Sequence, residues 1–390
     1  MLDSSYLTNR YQHPAPNILA DIGTLAATTK NAIDLSIGDP DFTTPQAVIE
    51  ASFQKTKQGM THYTEANGLP ELRQAIGDYY QSKFDLSFEL PQIRVTVGAS
   101  HALFLALAVL LNPGDEVIVP QPSFSPYPEE VKAAGGTPII LANQAENGFA
   151  IDPAAVEALI TPKTKAVIIN SPNNPTGNVM SNAAAQQLAE IAKQHHIFVL
   201  ADEVYSDYLM PGQKFVPFTT FAPENTVTLG SMSKSYAMTG WRVGYLIGPE
   251  YLVTAAKLVN EGITYSAPTP SQNAALYAIK HADEFIPGFA AEFMQRLTYI
   301  NEQIEAIDWL GTSPIEGGIY AFVDIRKTGL DSVTFAEKLL QQAGIIVVPG
   351  LAFGEAGEGF VRIAATQPLS VLQTAFERIK QLDVKQFIEE

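Results

Sequence analysis

Seven short apolar runs recur between Arg94 and Gly248, with helix-patterned stretches between them. They are Arg94–Val97, Glu116–Pro120, Thr137–Leu141, Ala166–Asn170, Ile197–Ala201, Thr226–Leu229 and Val243–Ile247. The intervening stretches include His101–Leu111, Ala154–Leu159 and Ala183–His195. Strands alternating with helices predict an α/β fold: a mainly parallel sheet with helices on both faces. The link from Thr226–Leu229 to Val243–Ile247 has little room for the crossover helix that a parallel pair needs. One strand is therefore expected to run antiparallel.

A chain of 390 residues is long for a single core and suggests two domains. A helical pattern over about Asp283–Ile307 bridges to a second region. That region holds Ile319–Ile325, a helix near Val333–Ala343, Ile345–Val348, Phe360–Ala365 and a final helix from Leu369, and reads as a smaller α+β unit. The segment through Pro40 is rich in loop signals and is expected to pack there or on another subunit. The division is thus 46–282 for the large domain, with 1–45 and 283–390 forming the small one.

Composition narrows the function. Forty-one acidic against 24 basic residues give a net charge of −17, with no basic run to grip phosphates, so nucleic acid and anionic membranes are poor partners. Without cysteine there is no disulfide, iron–sulfur or thiolate chemistry, and no metal site is expected. The first residues lack a signal-peptide pattern, and the longest apolar run, Ala102–Leu111, is too short to span a bilayer. A cytoplasmic protein is the expectation.

In an open α/β sheet, ligands bind beyond the carboxyl ends of the strands. Four strand ends here run into unusual loops: Gly98-Ala99-Ser100, Ser171 to Gly177, Asp202 to Tyr205, and Gly230 to Lys234. The first opens a helix whose free N–H groups suit an anion, though the same residues also suit an ordinary capped helix. The last joins Ser231, Ser233 and Lys234 to Thr239-Gly240-Trp241-Arg242. Hydroxyls and a guanidinium suit a phosphate, and a lysine inside a site can form a Schiff base; a solvated loop with a surface lysine is the alternative.

The run Ser231 to Tyr245, SMSKSYAMTGWRVGY, resembles the cofactor-lysine segment of the class I/II pyridoxal 5'-phosphate (PLP)-dependent aminotransferases, which are fold type I enzymes. The resemblance extends to Leu35-Ser36-Ile37-Gly38-Asp39-Pro40-Asp41-Phe42, His62-Tyr63-Thr64, Gly68 to Arg73, Asn174-Pro175-Thr176-Gly177, Asp202-Glu203-Val204-Tyr205 and Val361-Arg362. It implies that Lys234 holds PLP as a Schiff base and later moves the substrate Cα proton. Asp202 would face the pyridine nitrogen, Tyr205 and Asn174 the phenolic oxygen, and Phe124 the ring face. The amides of Ala99 and Ser100, with Ser231, Ser233 and Arg242, would bind the phosphate. Tyr63 would reach that phosphate from the partner subunit of a homodimer. Arg362 would clamp the substrate carboxylate, helped by the Gly38 N–H.

The implied reaction passes an amino group from an L-amino acid to a 2-oxo acid, 2-oxoglutarate by expectation, by a ping-pong route. A C–S β-lyase of the same fold would share Lys234, Asp202 and Arg362. An aminotransferase-like transcription regulator would need a basic DNA-binding segment, which the sequence does not show. Ile18, Tyr265 and Tyr320 are candidates for the side-chain pocket. No second arginine stands out for a distal carboxylate, which favours aromatic, aliphatic or broad donors over strictly dicarboxylic ones; N-acetyl-diaminopimelate is another possible donor.

Overall fold

The computed structural model describes residues 31–383 continuously, together with 6–8, Gln12, Ile18, Ile22, Thr24, Thr29, Lys385 and Phe387. All seven expected runs are strands of one sheet. They are β2 (Ile93–Thr96), β3 (Glu116–Gln121), β4 (Thr137–Ala142), β5 (Thr164–Asn170), β6 (Phe198–Asp202), β7 (Thr226–Ser231) and β8 (Gly244–Ile247). Their order is β2-β8-β7-β6-β5-β3-β4. β8 is the antiparallel strand, paired on both sides against β2 and β7, while the rest run parallel. The carboxyl ends of β2, β3, β5, β6 and β7 therefore share one edge.

The sheet is covered on both faces, and the alternation of side chains along each strand divides the core in two. Ala166 and Ile168 pack with Leu103, Leu107, Val119, Leu200 and Leu229 on one face. Val167 and Ile169 pack with Leu188, Ala192, Val199 and Ala201 on the other. The helices in chain order are α1 (Gln46–Lys57), α2 (Pro70–Phe84), α3 (Ala99–Leu110), α4 (Pro126–Ala133), α5 (Pro153–Ala158), α6 (Asn182–His195), α7 (Glu250–Glu261), α8 (Thr269–Lys280), α9 (Ala282–Glu305), α10 (Ser332–Ala343) and α11 (Leu369–Lys380). Burial on both faces explains why the central strands read as continuous apolar runs.

The C-terminal part forms a second sheet, β12-β13-β10-β9, from Val348–Pro349, Phe360–Ala364, Tyr320–Asp324 and Gly311–Thr312. A two-stranded parallel pair joins β1 (Ile33–Asp34) to β11 (Ile345–Ile346), so the chain just before the Gly38 turn is stitched to the C-terminal part. Arg296 on α9 strengthens that seam. It is almost fully buried between Phe42 and Phe293 and bonds Asp41 at 2.7 and 3.1 Å. Among the described residues no helix is long and apolar enough to cross a membrane, and no cluster of acidic and histidine side chains is arranged to hold a metal.

Candidate active site

The shared sheet edge opens into a cavity of about 520 Å³ between the two sheets. Of the expected residues, Gly38, Ala99, Ser100, Phe124, Asn174, Asp202, Tyr205, Ser231, Ser233, Lys234, Arg242 and Arg362 all line it. Tyr63 does not. It stands 83% exposed on the outer surface, edge-to-face with Tyr265 at 5.2 Å. Two of the side-chain-pocket expectations are corrected by the structure. Tyr265 lies beside Tyr63 rather than in the cavity, and Ile18 does not line it, whereas Ile22, Ile37 and Val348 do.

Lys234 lies just beyond β7, and its Nζ donates to the Gly38 carbonyl at 2.6 Å. Opposite it, at the end of β6, Asp202 is buried. One carboxylate oxygen accepts from the Tyr127 hydroxyl at 2.7 Å, and the other is approached by the Val204 N–H at 3.3 Å. Burial raises its pKa to about 6, with Tyr127, Val204 and the charge of Lys234 opposing the rise. Tyr127 stays protonated, because burial and the adjacent Asp202 push its own pKa well above the ordinary value. Its ring meets Phe124 edge-to-face at 5.6 Å. The sequence reading missed Tyr127: it sits 75 residues before Asp202, in the first turn of a short helix, between Pro126 and Pro128.

Arg362 on β13 is buried beside two aromatic rings, its guanidinium carbon 4.3 Å from the centre of Tyr320 and 4.9 Å from that of Phe353. One Nη donates to Asn174 Oδ1 at 2.9 Å and the other to the Ser36 carbonyl. Its Nε is buried without a partner. Tyr320, expected only as an apolar wall, also faces the Tyr205 hydroxyl at 3.1 Å. A side chain at Gly38 is precluded, since a Cβ there would lie 2.1 Å from the Tyr320 oxygen.

At the far end, Gly98 enters α3 with φ of 82°, a left-handed value that suits glycine. A Cβ at this position would meet the Arg242 guanidinium at 2.8 Å. The cation thus rests on the turn that leads into the first amides of α3, where the helix dipole favours an anion. Ser231 accepts from the Ser233 N–H at 3.0 Å, which fixes the serine loop beside them.

These groups fit PLP by their chemistry: an amine for the aldehyde, a buried carboxylate for the ring nitrogen, and a helix start with an arginine and hydroxyls for the phosphate. The orphaned Arg362 Nε is the donor a substrate carboxylate would satisfy.

Comparison with known proteins agrees. Residues 30–379 match the family described as aminotransferase class I and II. The aspartate aminotransferase of Pyrococcus horikoshii is 34% identical over 91% of this chain and 92% of its own. The aromatic-amino-acid aminotransferase 2 of Thermococcus litoralis is 34% identical over 96% of this chain and 98% of its own. A solved structure of the Thermus thermophilus aspartate aminotransferase with maleate superposes with a TM-score of 0.91 at 35% identity, covering 96% of this chain and 98% of that one.

Proposed function

The chain belongs to the class I and II aminotransferases and is a PLP-dependent aminotransferase, and on that premise we propose how its own residues divide the work. The observation that carries the assignment is the convergence of Lys234, Asp202 and Arg362 on one cavity. Lys234 would hold the cofactor covalently, and Asp202 would keep its ring nitrogen protonated. Asn174, Tyr205 and Phe124 would hold the ring. Ala99, Ser100, Ser231, Ser233 and Arg242 would hold the phosphate. When bound, PLP supplies an electron sink for the pair left at Cα as its proton departs.

Arg362 receives the substrate carboxylate on its unsatisfied edge, a planar match that fixes Cα relative to Lys234. Lys234 Nζ would hold and return the Cα proton. The amino donor is an L-amino acid and the acceptor a 2-oxo acid, 2-oxoglutarate in our reading. Ile22, Ile37 and Val348 line the cavity with apolar surface, and its cations are Lys234, Arg242 and Arg362, each already given a task. That supports donors with apolar or aromatic side chains.

We further place 46–282 in a large domain, and 1–45 with 283–390 in a small one that carries Arg362 and closes on substrate. The exposed Tyr63–Tyr265 pair supports a homodimer in which Tyr63 completes the partner's phosphate site. Borohydride reduction of the holoenzyme followed by peptide mapping, run beside a donor panel with 2-oxoglutarate, tests the assignment. A pyridoxyl label on the Lys234 peptide and 2-oxo acid formation from apolar donors are expected. A colourless protein with no label there refutes it.

A further inference from the structure

Asp207 does not line the cavity, yet three donors converge on it from two sides. Its side chain is 5% exposed. One carboxylate oxygen accepts from the Tyr79 hydroxyl at 3.0 Å and pairs with the Lys83 ammonium. Lys83 also donates to the Tyr79 oxygen at 2.7 Å; the two stand one turn apart on α2 and so share a face. The other carboxylate oxygen accepts from the Ser235 hydroxyl at 2.5 Å. Ser235 is buried and follows Lys234 directly in the chain.

We propose that Asp207 is a positioning residue for Lys234: its grip on Ser235 fixes the direction in which the lysine side chain leaves its loop. The inference rests on the role of Lys234 assigned above. Lys234 sits in a run of turns, 233–237, with no strand or helix ladder to hold it. Within the run, the Ala237 N–H donates to the Lys234 carbonyl at 3.2 Å, and the Met238 N–H to that of Ser233 at 3.1 Å. These bonds close the loop on itself. From outside it, the Tyr208 hydroxyl donates to the Lys234 carbonyl at 2.8 Å. A single bond of that kind is a pivot about which the peptide can still turn. Asp207 supplies a second point one residue away, and two points set an orientation.

The tether also ties Lys234 to its working partners. Asp207 and Tyr208 belong to the stretch that leaves β6, and the same stretch carries Asp202 and Tyr205. The lysine, the buried acid and the tyrosine are thus joined in one bonded unit, which α2 holds from behind through Tyr79 and Lys83. The carboxylate cannot follow a drifting Ser235 without giving up its ion pair. Misplacing a reacting group by about 1 Å can cost about 100-fold in rate, so a small drift matters.

The test uses the full-length enzyme and three substitutions. Ser235→Ala cuts the tether and leaves Asp207 with Tyr79 and Lys83. Asp207→Ala cuts it from the other end. Tyr79→Phe removes a different donor from the same carboxylate and is the control for lost stability. Hydrogen–deuterium exchange of the 231–238 peptide is followed after the cofactor has been resolved away, so this readout is independent of turnover. Exchange is expected to rise about tenfold in Ser235→Ala and Asp207→Ala, the size of one hydrogen bond to a charged group, and to stay at the wild-type level in Tyr79→Phe. In the reconstituted enzyme, kcat should fall about tenfold in the first two, with KM for the amino donor within about twofold. The isotope effect of a Cα-deuterated donor should be no smaller than the wild type's, because transfer by Lys234 then limits the rate. The double variant should fall no further than Asp207→Ala alone, since both changes cut one tether. Unchanged exchange, an equal rise in Tyr79→Phe, additive losses in the double variant, or a fall in kcat with the isotope effect lost overturns the inference alone. Turnover retained in Lys234→Ala overturns the lysine assignment on which it stands.

Discussion

Tyr127→Phe removes one oxygen and leaves the ring with its edge contact to Phe124. The lost atom is the donor 2.7 Å from Asp202 Oδ2, a hydrogen bond to a carboxylate inside the protein. Such a bond contributes about 1.5–3 kcal/mol. At about 1.4 kcal/mol per pKa unit, Asp202 should rise by about one to two units. It already stands at about 6, so the variant would carry a largely protonated acid at neutral pH, unable to hold a proton on the ring nitrogen. The sign follows: the working form of Asp202 is ionised, so activity is lost as pH falls through its pKa. The substitution moves that loss to higher pH. Steady-state kinetics over a pH series should show kcat down about two- to tenfold at neutral pH and its acidic limb shifted up by about one to two units. KM for the amino donor should stay within about twofold, because Tyr127 makes no contact with Arg362. An unshifted acidic limb, or a rise in KM with kcat preserved, refutes the reasoning and leaves Tyr127 a packing residue.

Other positions give separate tests. Arg362→Lys loses the planar fork beside Tyr320 and Phe353, so KM for the amino donor should rise about 30- to 100-fold, with the bound cofactor's absorbance unchanged. Gly98→Ala places a Cβ 2.8 Å from the Arg242 guanidinium in a left-handed backbone, and should weaken cofactor binding about tenfold in a titration of the resolved enzyme while far-UV circular dichroism is unchanged. Glu203 is buried with one unpartnered oxygen, and burial raises its pKa from 4.5 to about 8. The folded chain therefore retains a proton that the unfolded chain releases, and stability falls as pH rises through that window. Glu203→Gln should flatten the fall of Tm between those limits, with a gain of up to about 3 kcal/mol at neutral pH; a parallel pH–Tm profile in the variant refutes it.

The sheet was legible because its strands are buried on both faces, so that Ala166–Asn170 and Ile197–Ala201 read as unbroken apolar runs. The antiparallel β8 followed from loop length alone. The pairing of β1 with β11 was not legible: two residues carry no period, and the partner lies about 310 residues away. Within the site, the loops at the strand ends stood out because glycine, serine and asparagine interrupt apolar sequence. Tyr127 did not, since two prolines in the first turn of its helix look like a loop and its partner comes from another element. Tyr265 and Tyr320 were equivalent as letters, and only the fold sends one outward to Tyr63 and the other over Arg362.

The aromatic pair beside Arg362 has a bearing on turnover. A guanidinium in open solvent would have to shed its hydration each time an incoming acid arrived. Here Tyr320, Phe353 and the Ser36 carbonyl already stand where most of that water would be, so the dehydration is completed once, as the chain folds. Successive donor and acceptor acids, alternating in one site, meet a cation that is already dry and aimed.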